Sequence, residues 1–227
     1  FWSLVWVGFF YNFGLWLDKF MFWFYEPTSQ AIIGPLRASL IYDIPVFLAY
    51  LSIIPGMAVF LVKMETDFVE FYGNFYNAVR EGGSLEYIEE MRNEMVFTVR
   101  QGIYQIIKIQ SIAALTVFVA GEIILNTLHI SLLYLPLLFV NLISVGLQVV
   151  FLGVLNVFFY LDKRRIVLLL TGLFVIFNGI FTGITLYLGP KFYGYGLAAA
   201  LLICIMLGFR YLDKVFDELE YNTFMLQ

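Results

Sequence analysis

An aspartate and a lysine stand side by side, Asp18-Lys19, in a run from Phe1 to Tyr25 that is otherwise apolar and aromatic. A charge in a helix surrounded by lipid is expensive, so such residues face a protein interior, a partner charge or a water-filled path. The chemistry within their reach is that of transport, holding charge and hydrogen-bonding capacity inside a membrane. Tyr11 lies seven residues before Asp18 and Asn12 seven before Lys19, so each charge shares a helical face with a hydrogen-bonding side chain. Successive residues point about 100° apart, and this predicts that Asp18 and Lys19 meet different partners. The competing reading puts both at a headgroup interface, with Phe22, Trp23 and Tyr25 as an aromatic belt.

Two further stripes are polar on one face. Asn141, Ser144 and Gln148 fall at i, i+3, i+7, and Thr171, Asn178, Thr182 and Thr185 at i, i+7, i+11, i+14. Such stripes turn away from lipid, either to bond neighbouring helices or to line a wet cavity. Hydroxyl and amide groups can also replace water around sugar hydroxyls. Glu122, after Gly121, reads either as a side chain snorkelling to the interface or as a proton or cation site. Gly179 and Gly183 form a small-xxx-small pair suited to close helix packing.

Bond-making chemistry finds no support. There is no glycine-rich phosphate loop, nucleophile elbow or zinc-ligand spacing. His129 is the only histidine and Cys204 the only cysteine, which excludes an intrachain disulfide and a thiolate metal cluster. No catalytic residue, metal or cofactor is expected.

The elements that must hold these residues are membrane spans. With 62% hydrophobic and 13% charged residues, the chain departs far from soluble averages of about 45–50% and 25%. A span needs about 20 mostly apolar residues, and six stretches qualify: 1–25, 44–62, 109–126, 132–160, 166–188 and 193–209. Pro55-Gly56 predicts a kink in the second, because proline removes a helical donor and clashes with the preceding turn. Pro136 is tolerated near the start of the fourth. Lys63, Arg80, Arg92, Arg100, Lys108, Lys163, Arg164, Arg165, Arg210 and Lys214 fall on one side, and only Arg37, Lys191 and His129 on the other. The positive-inside rule then places both chain ends in the cytoplasm. The net charge of -4 and the lack of a basic stripe argue against nucleic acid.

Between the second and third spans, residues 64–100 read as a cytoplasmic amphipathic helical hairpin. Phe68, Phe71, Tyr72, Phe75, Tyr76 and Val79 share one face. Gly82-Gly83 breaks the helix, Ser84 caps a second, and Leu85, Ile88, Met91 and Met95 align opposite Glu86, Glu90 and Glu94. The hairpin lies at the interface as a brace or docks a partner.

Several stretches resemble the PelG family, the inner-membrane transporters of Pel exopolysaccharide systems. They are Gly8 to Asn12, Trp16 to Lys19, Tyr42 to Gly56, Glu65 to Phe68, Gly82 to Leu85, Tyr160 to Asp162 and Tyr193 to Gly196. The resemblance implies the C-terminal six-helix half of a twelve-helix, flippase-like transporter with its path between two bundles. Phe1 is then an internal start and the N-terminal six-helix half is a missing partner. The resemblance also implies the bacterial inner membrane, a cationic, partly acetylated galactosamine-rich polymer as cargo, and a role in biofilm formation. Its implied partners are a cytoplasmic glycosyltransferase and membrane-anchored regulatory subunits. Asp18 and Glu122 suit a cationic polymer. Two alternatives stand beside this expectation: a lipid-linked oligosaccharide flippase or cation-coupled drug exporter, and a non-transporting scaffold that holds a glycosyltransferase through the hairpin.

Overall fold

The computed structural model describes residues 2–219. The chain is almost wholly helical: α1 (Trp2–Phe24), α2 (Leu40–Leu51), α3 (Ile53–Val62), α4 (Phe68–Arg80), α5 (Leu85–Thr127), α6 (Leu135–Tyr160), α7 (Arg164–Leu188) and α8 (Tyr195–Asp217). A two-stranded hairpin, β1 (Gln30–Ile33) with β2 (Leu36–Ala38), follows α1 and was not foreseen from the sequence. It turns at Gly34, whose φ of 56° favours glycine.

Four stretches are long and apolar enough to cross a membrane: Leu85–Thr127, Leu132–Tyr160, Arg164–Leu188 and Pro190–Asp217. A fifth crossing arises if α2 and the Ile53–Arg80 helix form one bent span. α1 spans about 35 Å at 1.5 Å per residue, but its tryptophans, Asn12, Asp18 and Lys19 keep it less apolar than those four. Six expected stretches thus become four or five by length and composition.

α6 is the hub. It packs on α8, α5, α2, α3 and α7, and its Phe151, Val154 and Phe158 are fully buried. α1 runs parallel to α7, with Gly14 against Phe174, Gly179 against Leu17 and Gly183 against Met21. α7 and α8 approach closely at Gly196, where an added Cβ would lie 2.6 Å from the Thr182 backbone nitrogen.

Three expectations need correction. The second span is two helices bent by 43° at Ser52, not at Pro55-Gly56 itself. Pro55 lies in the first turn of α3, and the helix yields one turn before it, where the ring meets the preceding carbonyl. Gly56 is the close-approach point, since a Cβ there would sit 2.2 Å from Gln110 Oε1 of α5. The third span does not begin at Ile109: α5 runs unbroken for 43 residues from its cap, where Ser84 Oγ accepts from the Tyr87 N–H. The expected second hairpin helix is therefore the first half of α5. Likewise α4 continues α3 through a π-helical turn, Lys63–Asp67. The apolar face expected of the hairpin does pack, with Phe68, Phe75, Val79, Ile88 and Met95 buried together.

Candidate functional site

Three helices bring polar groups to one place. From α1 come Asp18, fully buried, and Lys19, 8% exposed. Lys19 Nζ lies 3.3 Å from Asp18 Oδ1 and donates to the Leu15 carbonyl at 2.7 Å. The two residues do meet, against the sequence expectation. The lysine side chain is long enough to curl back along the helix and reach the carboxylate of its neighbour. From α2, the fully buried Tyr42 donates its hydroxyl to Asp18 Oδ2 at 2.5 Å. Just over two turns along the same helix, Tyr50 places its ring 5.5 Å from Lys19 Nζ and donates its hydroxyl to Gln148 Oε1 of α6 at 2.7 Å. Tyr11 also faces Gln148 and lies against Phe151.

The cluster opens sideways. Leu15, Trp16, Lys19, Trp23, Asp43 and Tyr50 are among the residues lining a cavity of about 450 Å³, with Gln148 at its wall. At its other end Asp43 accepts from Trp23 Nε1 at 2.9 Å and from the Ser39 N–H at 3.0 Å, closing the first turn of α2. Phe22 is fully buried with its ring stacked 3.8 Å from Tyr42, which takes it out of any lipid-facing belt, and Trp23 is tied to Asp43. Tyr25 reaches the Leu186 carbonyl of α7.

The remaining candidates lie elsewhere. Asn12 is exposed and donates to its own Gly8 carbonyl. Glu122 is exposed on α5. Asn141 and Ser144 are buried, but each donates to a carbonyl one turn back, Leu137 and Val140, so of that stripe only Gln148 joins the cluster. The α7 stripe is also buried. Asn178 Nδ2 crosses to the Gly14 carbonyl of α1 at 2.7 Å and Thr182 donates to Asn178 Oδ1, while Thr171 and Thr185 bond carbonyls of their own helix.

The residues that reasoning from periodicity missed are Tyr42, Tyr50, Asp43 and Trp23. The signal available was the Tyr42–Gly56 motif, which contains three of them. Glu65 is a further group of interest: on the π turn it accepts from Asn156 at 2.7 Å and from Tyr160 at 2.9 Å, both on α6. Among the described residues no group of histidines, cysteines and carboxylates is arranged to hold a metal.

Four membrane-length apolar helices and a buried ion pair that opens on a cavity point to a multi-helix membrane protein. A family model described as "Putative exopolysaccharide Exporter (EPS-E)", PelG, matches residues 1–224. The chain belongs to the PelG family. No curated protein and no solved structure matches it.

Proposed function

We propose that the chain forms one six-span bundle of an inner-membrane transporter that moves Pel-type, cationic galactosamine-rich polymer from cytoplasm to periplasm. α1, the bent α2–α3 pair and α5 to α8 are its six spans. The path runs between this bundle and a second one. The single observation that carries the reading is the Asp18–Lys19–Tyr42 cluster. It is a buried charge pair in a membrane-type bundle, linked through Tyr50 and Gln148 to a cavity large enough for a small ligand. Family membership supplies the cargo class.

The basic residues at the α4–α5 end favour a cytoplasmic location for that end and for both termini. The projecting hairpin then suits a glycosyltransferase or membrane-anchored regulatory subunits as partners. The test is deletion of the full-length gene in its host, with secreted galactosamine-rich polymer measured while the glycosyltransferase is still present. Secretion is expected to fall, and to return with wild type but not with Asp18→Asn at equal protein level. Unchanged secretion in the deletion strain overturns the reading. Secretion lost with hairpin variants but untouched by Asp18→Asn favours a scaffold.

A further inference from the structure

The outward face of α1 carries an aromatic ring at every third or fourth residue. Phe9, Phe13, Trp16, Phe20 and Trp23 follow at intervals of four and three, and Trp6 and Trp2 continue the series backward. The mean interval of 3.5 residues nearly matches the helical turn, so the rings form an almost straight row that climbs about 5 Å per ring. The rings pair in two groups: centroids are 5.5 Å apart for Phe9 and Phe13, and 6.1 Å for Trp16 and Phe20 and 5.3 Å for Phe20 and Trp23. The row is open, with Phe9 52% and Trp16 49% exposed. Two hollows adjoin it and share Trp16. One is an open shelf on α1 alone, lined by Gly8, Phe9, Asn12, Phe13, Trp16 and Phe20. The other is the cavity of about 450 Å³ that holds Lys19 and Asp43.

We infer that this row is a stacking track for an extended chain of pyranose rings, a conclusion that rests on the export reading and gives it a seat for the cargo. A pyranose presents an apolar C–H face and a rim of hydroxyls, so it needs aromatic planes flanked by isolated hydrogen-bonding groups. The α1 face supplies the aromatic planes and Asn12, and the adjoining cavity supplies further hydrogen-bonding groups from α1, α2 and α6. Asn12 spends its amide N–H on the Gly8 carbonyl and keeps its oxygen as an acceptor. Lys19 and Gln148 line the cavity wall. Asp43 accepts from Trp23 and has no Lys or Arg partner among the described ion pairs. The climb of one ring per step is comparable with the advance of one sugar in an extended polymer.

Other occupants fit less well. Lipid disfavours the cavity beside the row, where Lys19 of α1 and Asp43 of α2 line the wall, whereas the exposed side of α5, with Ile112, Leu115, Val119 and Ile123, has the aliphatic surface that lipid wants. A partner helix pairing in heptad register selects Leu, Ile and Val at these positions, not Trp and Phe.

The full-length protein in lipid nanodiscs, titrated calorimetrically with a galactosamine hexamer and with cellohexaose, tests the track. Saturable binding of at least one hexamer is expected. Trp16→Leu or Phe20→Leu should weaken it roughly two- to tenfold each, and Trp16→Phe or Phe20→Tyr should retain it. Wild-type affinity in the leucine variants overturns the track. Should those variants fail to fold, a form whose other tryptophans are all Phe is placed in brominated lipid. Protection of Trp16 from quenching once hexamer is bound supports the track, and quenching that hexamer never relieves overturns it. A wild type that secretes polymer in its host yet binds neither hexamer removes the track and leaves export standing.

Discussion

The polar residues of α7 and those around Asp18 are equally buried, yet they are partnered in different ways. On α7, Thr171 and Thr185 bond carbonyls of their own helix, and Asn178 reaches one carbonyl across the α1 contact. Every bond ends on backbone or within the helix, and the stripe seals two helices together. Around Asp18 the bonds run from side chain to side chain across three helices, and the chain of contacts ends at a cavity. In a membrane bundle, then, what distinguishes structural glue from a candidate site is where the partners lie. The mere presence of polarity does not separate them.

The sharpest break should come at Gly196. Replacing it by Val drives a side chain into the Thr182 backbone, which α7 and α8 can relieve only by separating. Overpacking of this kind costs about 1–3 kcal/mol or more, so folded protein recovered from membranes should fall steeply, and export with it. Asp18→Asn is expected to do the reverse. Losing one member of a buried pair can cost roughly 3–5 kcal/mol, but Lys19 keeps the Leu15 carbonyl and opens onto the cavity. Export should therefore drop well beyond any fall in protein level, measured by secretion against immunoblot. A parallel fall in both would move Asp18 into the glue class.

Asn178→Ala removes the α7–α1 bond. Interhelical bonds of this kind contribute about 0.6–1.7 kcal/mol, so thermal stability in detergent should decline modestly, with export tracking the protein level. Ser144→Ala is the smallest change. Its hydroxyl serves only the Val140 carbonyl, and neither stability nor export should move measurably; a loss of export there would enlarge the site along α6.

Much of this contrast could be read from the sequence, and what could not has physical causes. The α7 stripe follows from helical period alone, because side chains that bond their own helix obey local geometry. Tyr42 does not, since it reaches Asp18 from 24 residues away after a β-hairpin has reversed the chain. The length of α5 was hidden for another reason. Between Glu94 and Lys108 the charges Arg100 and Lys108 lower the apolarity below that of a span, so the stretch reads as loop. Backbone hydrogen bonding does not require apolarity, and Met95, Val99 and Ile103 on the inner face keep the helix packed on its neighbours. The neutral pairing of Asp18 with Lys19 was missed because backbone geometry fixes the Cα–Cβ direction but not the reach of a four-carbon side chain.

The unbroken α5 has a mechanical meaning. Its 43 residues extend about 65 Å, roughly twice the 30 Å of a bilayer's apolar core. One rigid rod therefore joins the Gly82-Gly83 turn to Gln110, which donates to the Ser52 carbonyl at the bend of α2 and α3. A tilt of a few degrees at that bend would swing the far tip by several ångströms. The turn at Gly82-Gly83 and the bend between α2 and α3 are thus the two ends of one lever.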